Sequence, residues 1–225
     1  MREKTRLLIG AVAALSVAAL SLLEVVPAAG AAALPDRAGI VSPRGEWAFP
    51  FAGALKFPFT KHDSLKCGRW AAGSQDYPFF GAPRDGTARR HGGIDLYPVH
   101  GAGAPVEAIR DGRVIRISPF YKRHNGEMTY AVLVDHGEFV ANYAELAKPA
   151  IDVGAVVPKN GIIGFLSGTK HLHFELYTPG TRGWMSWSWY GEMPKNLIDP
   201  TDMMRRAGAR RSGSPRRPVV LGFDR

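Results

Sequence analysis

From Tyr77 onward the chain is a succession of short apolar runs broken by glycine, proline and aspartate. PVEAIRDGRVIRI predicts a strand, a turn at Asp111-Gly112 and a second strand. YAVLVDHGEFVANYAEL predicts a hairpin turning near His136-Gly137-Glu138, and VGAVVPKNGIIGFLSGTKHLHFELY predicts short strands punctuated by Gly154, Gly161, Gly164 and Gly168. No stretch here sustains a helical period over an adequate length. NLIDPTDMMRRA is the exception: Asp199 followed by Pro200 reads as the N-cap and first position of one short helix. The pattern predicts an all-β domain over residues 77–204. Residues 34–76 mix proline, glycine and aromatics without a sustained period, and are expected to be a lead-in that packs partly on the domain.

The two ends read differently. Arg2, Lys4 and Arg6 precede an apolar run from Leu7 to Leu23, followed by the small residues PAAGAAA with A-x-A-like sites ending at Ala31 and Ala33. This is the layout of a secretory signal peptide over residues 1–33 and implies an extracytoplasmic location, periplasmic or secreted. The alternative is an uncleaved membrane anchor, since the run sits near the lower length limit for a bilayer span. At the other end, the last 25 residues hold seven arginines against two aspartates, much of the chain's net charge of +9. Residues 205–225 are expected to be a basic, disordered tail whose natural partners outside a cell are anionic wall polymers or lipids rather than nucleic acid. Length and composition suit one domain with a sizeable core. A single cysteine, Cys67, excludes an internal disulfide and is expected to be a small buried hydrophobe.

Three of the seven histidines fall into two tight groups. RRHGGIDLY places His91 and Asp95 four apart around a Gly-Gly pair, and KHLHFELY places His171 and His173 two apart. Side chains two apart on a strand share a face, so the second pair projects together. Two imidazoles and a carboxylate make a zinc ligand set with a fourth position left for water, although an H-x-H on a strand is often only packing or surface chemistry. His136 reads as a turn residue bonded to backbone, and His62, His100 and His124 as surface residues. Glu175 shares strand parity with His173, either to orient a ligand or to form a salt bridge. The run WMSWSWY, with Trp184, Trp187, Trp189 and Tyr190, reads as core or a covering lid ahead of a glycan-stacking surface.

HGGID, GAPVEAIRDGRV, VLVDHG and HLHFEL occur in that order between Phe80 and Leu176, and together they resemble the lysostaphin-type (LytM-like) zinc endopeptidases. The resemblance implies a compact antiparallel β domain of barrel-sandwich hybrid type with a groove over the metal. It implies Zn²⁺ held by His91, Asp95 and His173, with His171 acting on the water or the transition state. It also implies hydrolysis of peptide bonds in peptidoglycan stems or cross-bridges; the alternative is a non-catalytic wall-binding protein or a regulator of another hydrolase. The family's Y-x-H-L stretch is YAEL here, which puts Glu145 where a second non-ligand histidine usually stands. A carboxylate there can serve as general base if it reaches the water.

Overall fold

The computed structural model describes residues 47–84, 86, 88–183 and 188–211, all within one compact unit spanning Ile40–Arg225. The signal-like segment, the start of the lead-in, Trp184, Trp187 and residues 212–225 lie outside the described residues. The described chain is all-β in the expected sense, with every strand pairing antiparallel and two helices added. None of the described helices is long and apolar enough to cross a membrane.

The main sheet is ordered β12 (Leu197–Ile198), β10 (Leu172–Tyr177), β7 (Val140–Pro149), β6 (Met128–Asp135), β5 (Gly112–Lys122) and β8 (Val156–Val157). Off this path, β3 (Ile94–Leu96) pairs with β10, and β9 (Ile162–Leu166) pairs with both β4 (Pro105–Glu107) and β7. A small second sheet runs β1 (Pro83–Arg84), β2 (Arg89–His91), β11 (Ser188–Tyr190). The predicted hairpin is β6–β7: Asp135 pairs with Val140, and His136 N–H bonds the Phe139 carbonyl at 3.0 Å.

Alternation along β10 divides its labour. Leu172, Phe174 and Leu176 enter the main core, while His173 and Glu175 lie on the other face, equally buried. The core also takes Phe49, Phe51 and Phe59 from the lead-in, and Trp47 packs on Phe139 with ring centroids 4.9 Å apart. Ala48 N–H bonds the Ile109 carbonyl at 2.6 Å and Glu107 N–H the Pro50 carbonyl at 2.9 Å, so this segment is stitched to the domain by backbone as well.

Helix α1 (Lys61–Lys66) falls in the lead-in, where no element was expected. Its signal is local rather than periodic: Thr60 Oγ1 accepts from Asp63 N–H at 3.2 Å and donates to Asp63 Oδ2 at 2.6 Å. The expectation for Cys67 fails here. It caps α1 at its C-terminus, is exposed, and only Ser64 of that helix turns inward. Helix α2 (Thr201–Arg211) starts as predicted, with Asp199 Oδ1 accepting from Thr201 N–H at 2.8 Å. It continues past Met204 into residues expected as tail, because Arg and Ala extend a helix well and Ala207 packs into the core. Trp189 is buried and packs on Phe80, the core role expected for it, while Tyr190 is exposed.

Candidate metal and active site

Three strands from both sheets converge on one point. His91 ends β2, Asp95 is central in β3, and His173 lies on β10 directly opposite Asp95 in the ladder. His91 Nε2 lies 3.0 Å from His173 Nδ1 and 3.2 Å from Asp95 Oδ1, and His173 Nδ1 lies 3.0 Å from the same Asp95 oxygen. These three atoms form a nearly equilateral triangle. Three ligands of a tetrahedral zinc ion at about 2.0–2.1 Å stand about 3.3 Å from one another. The triangle is thus the size of one face of that tetrahedron, and the donor set is one zinc accepts. All three residues are buried.

The outward nitrogens are fixed. His91 Nδ1–H donates to the Phe79 carbonyl at 3.0 Å, which leaves Nε2 facing the cluster. Burial pushes this imidazole down to about 4, so it stays in its neutral form, the one able to ligate a metal. His173 Nε2–H donates to Glu175 Oε1 at 3.0 Å. Burial works against charge on His173 as well, but its bonds to Asp95 and Glu175 outweigh that and push it up to about 10. Asp95 also resists ionisation through burial, yet the surrounding imidazoles hold its carboxyl well below the ordinary range. Its second oxygen, Oδ2, accepts from the buried Arg84 guanidinium at 3.4 Å, which leaves Oδ1 alone facing the histidines.

Glu175, whose role the sequence left open, is wholly buried. Its Oε2 accepts from Asn142 Nδ2 at 2.7 Å and from the Tyr177 hydroxyl at 2.8 Å. A buried carboxylate is costly unless its lone pairs are used. Here they are, and one of them orients His173. Gly93 makes room for the arrangement: a Cβ on it would collide with the Phe174 carbonyl oxygen, 2.9 Å from the carbonyl carbon and 3.0 Å from Glu175 Cγ.

On the open side of the triangle stand His171 and Glu145. His171 Nδ1–H donates to the Thr169 carbonyl at 3.2 Å, and the ring packs on Tyr97 with centroids 4.8 Å apart. This turns His171 Nε2 toward Glu145 Oε1 at 3.7 Å and Asp95 Oδ1 at 3.9 Å. Glu145 is brought in by a bulge. Between Tyr143 and Leu146, strand β7 carries one residue more than its partner β6, and Glu145 takes φ 73°. Without the bulge, Glu145 would share parity with the core residues Ala141 and Tyr143; with it, Leu146 fills the core and Glu145 faces the site. A left-handed glutamate costs about 1–3 kcal/mol, a local expense typical of functional positions. Burial pushes its carboxyl above the ordinary glutamate range, and Oε2 has no hydrogen-bond partner. Both residues border a cavity of about 290 Å³, with Asp76, Arg84, Tyr97, Phe120 and Tyr121 on its other walls.

Residues 89–183 match the model of Peptidase family M23. Over those residues the chain is similar to peptidase family M23. The matched segment contains His91, Asp95, Glu145, His171 and His173, whereas Asp76 and Arg84 precede it. Enzymes of this family are zinc metallopeptidases. Among solved structures, the chain is similar to the catalytic domain of lysostaphin from Staphylococcus simulans at 22% identity, covering 56% of this chain and 88% of that one with a TM-score of 0.40. It is similar to a peptidase M23 from Pseudomonas aeruginosa at 24% identity, covering 61% and 48%, TM-score 0.37. It is also similar to a zinc-containing peptidase from Vibrio cholerae at 18% identity, covering 67% and 41%, TM-score 0.41. The chain spans 44% of lysostaphin in its solution structure, so it matches less than half of that protein. No curated protein sequence matches it.

Among the remaining histidines, His62, His100 and His124 are exposed and away from the cluster. His136 is a buried turn residue: Nδ1–H donates to the Asp111 carbonyl at 3.0 Å, and Nε2 accepts from the Tyr143 hydroxyl at 3.1 Å. Sequence reasoning missed Arg84, Tyr97 and Tyr121, which carry no motif; Arg84 stands seven residues before His91 in an irregular stretch.

Proposed function

We propose that this protein is an exported zinc metalloendopeptidase that hydrolyses peptide bonds of peptidoglycan, with zinc held by His91 Nε2, Asp95 Oδ1 and His173 Nδ1. The observation that carries this reading is the triangle of ligand atoms, 3.0–3.2 Å on each side, with Glu145 and His171 on its open face. Zinc in such a site supplies Lewis acidity to a peptide carbonyl and lowers the pKa of water toward neutrality.

The remaining chemistry belongs to the chain. Glu145 borders the cavity beside the cluster, so its carboxylate accepts the proton of the attacking water. Burial raises its basicity for that step. As the carbon–nitrogen bond breaks, the same carboxyl returns the proton to the leaving amine. His171, whose Nε2 lies 3.7 Å from Glu145 Oε1 at the cavity wall, acts on the negative charge that develops on the carbonyl oxygen. Tyr97, Phe120 and Tyr121 wall the groove along which an extended peptide lies. Export follows from the signal-like N-terminus and fits a substrate outside the cytoplasm.

A wall-binding protein or regulator without catalysis does not require a ligand triangle of zinc dimensions, or a base aimed at its open face at a backbone cost. Both features favour the enzyme. The test is His91→Ala: zinc content falls and hydrolysis of purified peptidoglycan is lost. Full activity in that variant overturns the assignment.

A further inference from the structure

The two groups assigned to proton transfer and charge stabilisation are joined by one short loop. Ser167 N–H bonds the Glu145 carbonyl at 2.9 Å at the loop's start, and the Thr169 carbonyl holds His171 Nδ1–H at its end. Inside the loop, the Ser167 and Thr169 hydroxyls bond each other at 2.8 Å, and Lys170 N–H bonds the Ser167 carbonyl at 3.1 Å. Lys170 takes φ 67°, so the loop is a tight, non-repetitive turn with little regular structure to keep its shape.

Its support comes from elsewhere. The tip of the β5–β6 hairpin carries Arg123 and Glu127, which form an ion pair with each other. Glu127 Oε1 accepts the Gly168 N–H at 3.3 Å. The Arg123 guanidinium presses on Gly168: a Cβ there would collide with Nη1 and stand 2.9 Å from Cζ and 3.1 Å from Nη2. The space left by the missing side chain at position 168 is what lets the guanidinium settle on the loop. The hairpin tip also closes on itself, with Arg123 N–H bonded to the Glu127 carbonyl at 2.8 Å and Glu127 N–H to Asn125 Oδ1 at 3.1 Å.

We infer that Glu127, with Arg123, is a positioning residue: through Gly168 the hairpin tip latches the 167–171 loop and so sets the aim of His171 and the separation between His171 and Glu145. This rests on the peptidase reading for its kinetic consequence but not for its structural one. The zinc ligands lie on β2, β3 and β10 and do not hang from this loop, so opening the latch separates catalytic geometry from metal binding. Displacing a reacting group by about 1 Å costs on the order of 100-fold in rate, with substrate binding little affected.

The experiment uses the full zinc-loaded chain with Glu127→Ala, Glu127→Gln, Gly168→Ala, Arg123→Ala and the double variant Arg123→Ala/Gly168→Ala. Amide hydrogen exchange at Gly168–Lys170 is read alongside zinc content and the kcat and KM of peptidoglycan hydrolysis. Glu127→Ala is expected to speed exchange across the loop at least about tenfold and to lower kcat about 10- to 100-fold at unchanged KM and zinc content. Glu127→Gln, which keeps an acceptor for Gly168 N–H, retains most of the wild-type kcat. Gly168→Ala evicts the guanidinium, so adding Arg123→Ala to it brings no further loss. Wild-type exchange rates in Glu127→Ala overturn the latch, as does a double variant whose defects multiply. If the wild type binds zinc but hydrolyses nothing, the exchange data still judge the latch while the peptidase reading falls by itself.

Discussion

Replacing Gly93 by alanine places a methyl group where the structure has no room for one. The carbonyl carbon of Phe174 would lie 2.9 Å from it, with the carbonyl oxygen closer still and Glu175 Cγ at 3.0 Å. An ordinary carbon–carbon contact is about 3.5 Å or more, so β10 must retreat from β3 by at least about 0.6 Å. No flexible side-chain end can absorb this, because the first obstacle is backbone. The strand that moves carries His173 and Glu175, and the strand it leaves carries Asp95. Zinc tolerates ligand distances only to about 0.2 Å, so the triangle opens beyond use. The expected cost is about 1–3 kcal/mol of folding stability from overpacking. Zinc affinity is expected to fall by at least about 10- to 100-fold, the loss typical when support for a ligand is removed. Denaturant unfolding of the apo-protein gives the first quantity, and competition with a chromophoric chelator gives the second. Gly93→Ala with wild-type zinc affinity would refute the claim that the β3–β10 spacing sets the ligand triangle.

Two further outcomes follow from buried polar groups. Glu175→Gln sets its amide N–H₂ either against the Asn142 Nδ2 donor or against His173 Nε2–H, and is expected to weaken zinc binding about 10- to 100-fold in the same chelator competition; unchanged affinity would show that Glu175 does not orient His173. His136 is held neutral, with burial pushing it down to about 4, while in the unfolded chain it titrates near the ordinary 6.5 or so. The unfolded state therefore takes up a proton that the folded state refuses, and stability present above about pH 6.5 is lost as pH falls toward 4, by up to about 3 kcal/mol. His136→Gln should flatten that part of the stability–pH curve relative to wild type, and an identical slope in both proteins would contradict the assignment.

The strands were legible because their apolar runs end at glycine and Asp-Gly breaks, and the β6–β7 hairpin fell at the predicted turn. The clustering of His91, Asp95 and His173 was legible in part: parity on β10 puts His173 and Glu175 on one face, but only the β3–β10 register places Asp95 opposite His173. Helix α1 escaped because six residues hold no period; its capping pair, Thr60 and Asp63, was the one available sign. The approach of Glu145 was hidden for the opposite reason. Tyr143 and Leu146 both belong to the core yet stand three apart, an odd spacing that a regular strand forbids, and that misfit marks the bulge. Arg84 and the hairpin latch depend on contacts between segments distant in sequence, which no local pattern encodes.

The most direct test of the central claim compares wild type and Glu145→Gln on purified peptidoglycan, with zinc measured in both. The account predicts about one zinc per chain in each protein. It predicts release of new amino groups by the wild type and a rate about 10²–10⁴-fold lower in the variant. Zinc bound by both but no peptide bond cut by the wild type, on walls of several cross-bridge chemistries, would contradict the enzyme reading. Equal hydrolysis by both proteins would remove Glu145 from the reaction.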